Sequence, residues 1–285
     1  MANPFRRSHN AVRCDAERVT DLDDLVDEWD LRPDGDPIHS PRAVLLPVRS
    51  SGAAAVLKIS TPDADSDHAH LVLRRWGGDG AVRLLRANPH RRAVLLERLR
   101  PESLETLWDV EACELVAGLY PRLHVPAMPQ LRSLTSCLDE WADDFAALPR
   151  GAPIPHRLVE QAITLCRELA TEPADHVLHG NLHYGNVLAA DREPWLAISP
   201  TPLNGDPHYE LAPMLWSRWD ELSGDVRGGV QRRFYALNDA AGFDEDRARA
   251  WVVVRVVREA ARALSRGDDP STLTLYVTLA KAVKD

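Results

Sequence analysis

His-Val-Leu-His-Gly-Asn-Leu-His-Tyr-Gly-Asn-Val-Leu, residues 176–188, is a loop between two short apolar runs, and its reading decides what fold to expect. Gly180 and Gly185 break any regular element, while His179, Asn181, His183 and Asn186 crowd polar side chains into eight positions. His179 and His183 stand four apart, a spacing that suits zinc on a helix. Here they flank Gly180 and Asn181 in a loop, and no third ligand is evident for a site that needs at least three. Asn181 carries an amide, which cannot take a proton from an attacking hydroxyl at neutral pH.

Around this loop the 285-residue chain changes character once. Residues 15–31 read as an amphipathic helix with Val19, Leu22, Leu25, Val26 and Trp29 in one stripe. Two β-type runs follow, AVLLPVR and AAAVLKIS, joined through Ser50-Ser51-Gly52 as a hairpin. A helix is expected over 66–76, stopped by Gly77-Gly78, then two strands, AVRLLRA and AVLLERL, around the turn NPHRR. Beyond Pro101 long helical periodicities dominate, over 102–123, 133–148 and 156–171 and from 209 to the C-terminus, interrupted by short strands at NVLAA and WLAIS. The expectation is a two-lobed α+β protein with a cleft between lobes. Residues 1–100 form the small strand-rich lobe and 101–285 the larger helical lobe.

Hydrophobic content of 45% and charged content of 27% are those of a folded chain. Its apolar runs are too short for a membrane helix, and the N-terminus lacks the apolar core of a secretion signal, so cytoplasm is the expected compartment. A net charge of −9 without a basic stripe argues against nucleic acid. Cys14, Cys113, Cys137 and Cys166 have no metal spacing, and the last three fall in helical stretches as buried thiols. The 34 basic residues include three lysines, leaving 31 arginines, a bias of a GC-rich genome. Lys58 is the sole lysine before position 281, in the apolar run AAAVLKIS, which suggests a place where a compact point charge is wanted.

AAAVLKIS, LVLRRWGGDGAVRLL, AVLLERL, HGNLHYGNVL, PWLAISPTPLNGDPHYELAP and LWSRWDEL together resemble, in order, the aminoglycoside phosphotransferase family and its streptomycin/hydroxyurea kinase branch. The resemblance implies a protein-kinase-like fold that binds ATP with magnesium and phosphorylates hydroxyls of small molecules. Such chemistry rests on positioning and charge neutralisation rather than covalent work. The resemblance places Lys58 as the strand lysine on the nucleotide phosphates, Glu97 to Leu99 at the hinge, and Asn186 as the magnesium-binding Asn. It gives His179 and Asp206 supporting roles. Three positions depart from the pattern: Ala69 stands for the helix Glu, Asn181 for the catalytic base, and Ser199 in AISPTP for the second metal-binding Asp. Thr201 stands where the branch often has Lys.

With those acids gone, the sequence predicts absent or very weak ATP-dependent transfer, weak or no magnesium binding, and no dedicated metal site. ATP remains a possible cofactor. The expected role is a pseudokinase that binds a small molecule, an anionic ligand between the lobes, a nucleotide or a protein partner. The alternative is a slow or repurposed transferase with His183 or Asp206, and also Glu210, as candidate surrogate bases.

Overall fold

The computed structural model describes residues 22–62, 67–171 and 175–284, so Cys14, residues 15–21 of the first expected helix and Ser66 lie outside them. The chain divides into two compact units, 1–100 and 101–285.

In the first unit the alternating runs become an antiparallel sheet. Its strands are β1 (Leu31–Pro33), β2 (Ile38–Ser40), β3 (Ala43–Ser50), β4 (Ala53–Ser60), β5 (Leu84–Asn88) and β6 (Ala93–Glu97). They run β1-β3-β4-β6-β5, with β2 also on β3. Ser50 pairs with Ala53, so the hairpin loop is Ser51-Gly52 alone. Both have positive φ, 49° and 86°, as the two-residue turn matching strand twist requires. The period of two then sorts β4: Ala55, Leu57 and Ile59 enter a core with Leu22 and Leu25 of helix α1 (22–28) and with Trp29. Each fully buried aliphatic side chain there contributes about 1.5–3 kcal/mol. Lys58 is left to the other face, paired across the strands with Leu45 and Val94. Helix α2 (Ala69–Trp76) ends where expected, because Gly77 takes φ 60° and its N–H reaches the Leu73 carbonyl.

The second unit is helical around two small hairpin-like sheets. Its helices are α3 (Asp109–Leu123), α4 (Leu134–Ala146), α5 (His156–Leu169), α6 (Ala212–Trp216), α7 (Val226–Ala241), α8 (Glu245–Arg266) and α9 (Pro270–Ala282). Helix α3 packs on α7, α4 on α5, and α8 on both α5 and α9. Strands β7 (His176–Leu178) and β10 (Leu203–Gly205) pair antiparallel, as do β8 (Val187–Ala189) and β9 (Trp195–Ala197). Cys113, Cys137 and Cys166 are buried on α3, α4 and α5, and burial raises the Cys113 and Cys166 thiols to about 12. Among the described residues no helix is long and apolar enough to cross a membrane.

Two local features differ from the expected pattern. Helix α3 begins at Asp109 rather than 102. The Ser103 hydroxyl accepts the Glu105 N–H at 3.3 Å and closes a separate 3-10 turn, after which Leu107 and Trp108 are extended. The expected helical run from 209 breaks into a 3-10 turn, the short α6 and another 3-10 turn, with Ser217 extended and Arg218 at φ 52° between the last two. In α8, Val252, Val253, Val254, Val256 and Val257 are all buried. Valine disfavours a helix by a few tenths of a kcal/mol, and burial of each side chain outweighs that cost.

Candidate functional site

The loop at 179–186 is held by the sheet pairs on either side. The Thr201 N–H donates to the His179 carbonyl at 2.9 Å and the Ile198 N–H to the Asn186 carbonyl at 2.9 Å. Gly180 has φ 75°, and a β-carbon built on it would lie 2.1 Å from the Thr201 carbonyl oxygen. Only glycine fits both the backbone region and the approach.

Two charged groups, Glu210 and Arg255, hold the loop backbone, and Asp206 is fixed by partners of its own. Glu210 is fully buried, and its carboxylate accepts the N–H of His179 at 2.5 Å and of Gly180 at 3.2 Å. Burial alone would raise this carboxyl; the neighbouring His124, His179 and Arg255 more than offset it and hold it below its ordinary value. Arg255 of α8 donates to the Gly180 carbonyl and to the Tyr209 carbonyl at 2.8 Å. Its guanidinium lies 4.0 Å from the Tyr209 ring centroid. Asp206 accepts four hydrogen bonds. The His208 N–H and ring Nδ1 reach Oδ1 at 3.0 and 2.6 Å, and Arg247 Nε and Trp251 Nε1 reach Oδ2 at 2.5 Å each. Burial opposes the charge of Asp206, but the His208 contacts and the Trp251 bond prevail and set its pKa at about 2.

The two loop histidines have assigned tautomers. His179 Nδ1 accepts the Asn181 N–H at 3.2 Å, so Nε2 carries the proton and donates to the Ile198 carbonyl at 2.9 Å. Burial lowers this imidazole to about 4, which keeps it neutral. His183 caps the turn Tyr184–Asn186 by accepting the Gly185 N–H on Nδ1 at 3.2 Å, leaving its proton on Nε2. Burial and the charge of Arg255 bring it also to about 4. The Asn186 side-chain amide donates to the Asn181 carbonyl at 2.8 Å. The Asn181 side chain makes no hydrogen bond with the described residues and stays half-buried. Ser199 holds φ 55°, a left-handed backbone rare outside glycine and asparagine.

In the second unit, therefore, backbone hydrogen bonds tie the loop that carries Asn181, His183 and Asn186 to the connection that carries Ser199, whereas Asp206 is held by His208, Arg247 and Trp251. In the first unit, Lys58 is half-buried on β4, and desolvation lowers its amine below the ordinary value. Glu97 ends β6 and accepts the Arg83 N–H at 2.8 Å, with Leu99 two residues beyond. Ala69 is the first residue of α2, and Asp67, two residues before it, is exposed. Among the described residues no cluster of His, Cys, Asp and Glu is arranged to hold a metal. Arg255 and the loop-facing duty of Glu210 carry no local sequence signal, since their partners lie 75 and 30 residues away.

A family model described as aminoglycoside/hydroxyurea antibiotic resistance kinase matches residues 28–267. The chain is 41% identical to streptomycin 6-kinase of Streptomyces glaucescens over 273 residues, covering 90% of this chain and 88% of that protein. It is 38% identical to hydroxyurea phosphotransferase of Kitasatospora aureofaciens over 256 residues, covering 86% and 73%. In fold it resembles the aminoglycoside phosphotransferase APH(4)-Ia, with a TM-score of 0.64 at 14% identity over 93% of this chain and 98% of that one. The choline kinase LicA from Streptococcus pneumoniae gives 0.63 at 11% identity over 94% and 98%. A kinase-like fold with an antiparallel N-terminal sheet and a helical C-terminal part is thereby shown.

Proposed function

The chain belongs to the aminoglycoside/hydroxyurea antibiotic resistance kinase family, and from that premise we propose that it binds as a family member but no longer performs ordinary magnesium-dependent phosphoryl transfer. The observation that carries this reading is the neutrality of Asn181 on the loop and of Ser199 on the connection beside it, while Glu210 and Arg255 still hold the loop backbone. Loss of a general base costs about 10² to 10⁴ in rate, or roughly 3–5 kcal/mol of barrier. Magnesium is held through carboxylates and phosphate oxygens; with Ser199 at the second position, Asn186 offers a neutral carbonyl alone. The surrogate bases are occupied. Asp206 accepts four hydrogen bonds, Glu210 binds the backbone behind the loop, and His183 presents a protonated Nε2. In this reading the ligand is a small molecule or nucleotide whose anionic group meets Lys58 without a metal, and a protein partner is the further form of the same role.

One finding favours the alternative of a slow or repurposed transferase: the relatives at about 40% identity carry kinase names. One experiment separates the two. ATP is titrated into the protein by calorimetry with magnesium and again with EDTA, and turnover is assayed in the same samples. Binding that survives EDTA without turnover is the expected result. Binding and turnover that both require magnesium would establish the slow enzyme. In the double variant Asn181→Asp with Ser199→Asp, magnesium-dependent ATP hydrolysis should rise at least tenfold. An inert double variant would show that the loss extends beyond those two positions.

A further inference from the structure

Tyr184 takes no part in the loop chemistry, yet it is fully buried at the start of the turn that carries Asn186. Its hydroxyl donates to Asp109 Oδ1 at 3.2 Å, in the first turn of α3. The same carboxylate receives Arg233 Nε on Oδ2 at 2.9 Å and Arg233 Nη2 on Oδ1 at 3.2 Å, with Arg218 Nη1 at 3.6 Å. Both guanidinium groups also face the Tyr184 ring, Arg218 at 4.7 Å and Arg233 at 5.4 Å from its centroid. Arg218 donates to the Leu107 carbonyl at 2.9 Å and pairs with Glu221, and Arg233 donates to the Ser217 carbonyl at 2.5 Å. One carboxylate, Asp109, thus accepts the hydroxyl, while two guanidiniums hold that carboxylate and flank the ring. The segment LWSRWDEL, which has no part in the loop chemistry, supplies Ser217, Arg218 and Glu221 to this cluster.

A buried ion cluster is a poor device for stability alone, because apolar side chains of the same volume often do as well or better. What such a cluster does well is fix geometry. Arg218 even holds φ 52° to take its place, a strained backbone of the kind that surrounding contacts must enforce. The residue fixed is Tyr184, and the turn that follows sets Asn186, whose amide closes on the Asn181 carbonyl.

We propose that Asp109, Tyr184, Arg218 and Arg233 are positioning residues that hold the Tyr184–Asn186 turn, and with it the Asn186 side chain, in register for a bound ligand. The placement of the turn stands on the cluster's geometry; its bearing on the ligand rests on the binding role proposed above.

The test uses Tyr184→Phe, which removes the hydroxyl and keeps the ring, and Arg218→Lys, which keeps the charge and loses the planar fork. Hydrogen exchange of the full-length protein is the first readout. Protection of the Gly185, Asn186 and Ile198 amides should fall about tenfold in Tyr184→Phe, a tenfold change being 1.4 kcal/mol, while the Val252–Val257 amides of α8 change less than twofold. Arg218→Lys should move the same amides in the same direction by a smaller factor. Loss of protection spread evenly over the molecule, or none at the turn, would overturn the proposal. ATP calorimetry with EDTA is the second readout, and Tyr184→Phe should weaken binding at least threefold. Equal affinity in variant and parent would overturn the ligand half of the proposal. If the parent itself binds no ATP, the nucleotide form of the binding role fails, and the exchange result still decides whether the cluster positions the turn.

Discussion

Gly180 is gripped from behind by Glu210 and Arg255, whereas the residue after it, Asn181, and Ser199 on the neighbouring connection carry no charge. In the one region, charges shape the backbone. In the other, the positions that kinase chemistry would charge are neutral, and the backbone nonetheless keeps a left-handed Ser199. The charges that form the loop and the charges that would work in it are therefore separable. Glu210 offsets its burial with two backbone N–H bonds and the nearby Arg255 charge; none of that depends on a carboxylate at 181 or 199.

The largest expected effect breaks the supporting side. Glu210→Ala leaves the His179 and Gly180 N–H groups without their acceptor and Arg255 without its neighbouring charge, and should cost about 3–5 kcal/mol in a urea titration. A loss below about 1 kcal/mol would mean that the loop does not lean on this carboxylate.

Acid probes the same side less severely. His179 takes a proton near 6.5 when unfolded and only near 4 when folded. Between those values the unfolded chain binds more protons, so stability rises with pH across the window and is lost as pH falls through it. The histidine accounts for about 3 kcal/mol between pH 6.5 and 4. His179→Asn should flatten the pH dependence of the urea midpoint over that interval. An unchanged slope would place the titration elsewhere.

The smallest effect concerns the working side. Ser199→Gly relieves the left-handed backbone, worth about 1–2 kcal/mol, against the entropy of a glycine in the unfolded chain, about 0.5–1 kcal/mol. The two terms largely offset, so the net should stay within about 1.5 kcal/mol of the parent by the same titration. A clear destabilisation would show that the Ser199 hydroxyl holds something in place.

Much of this was legible in the residues. Ser50-Ser51-Gly52 announced the β3–β4 hairpin, Gly77-Gly78 the end of α2, and the packed motif at 179–186 its own loop, because each signal is local and steric. Strands β7 and β10 were not foreseen, since three residues are too few to show a period of two. The late start of α3 was hidden because Ser103 closes its turn through a hydroxyl, against a helical apolar pattern. The supports of the loop were the least readable part. Arg255 reaches Gly180 across 75 residues and Arg233 reaches Asp109 across 124, and spacing says nothing of pairs that only the folded chain brings together.

Helix α8 carries a liability of another kind. Trp251-Val-Val-Val-Arg-Val-Val257 is, taken alone, a stretch of high β propensity of the sort that stacks into cross-β aggregates. Docked as a helix, its valines are covered; on a chain still leaving the ribosome they are not. Arg255 is the one charge inside that stretch, and a charge so placed acts as a gatekeeper against self-association. The guanidinium that holds the Gly180 carbonyl in the finished protein therefore also guards the nascent chain, before there is any loop to hold.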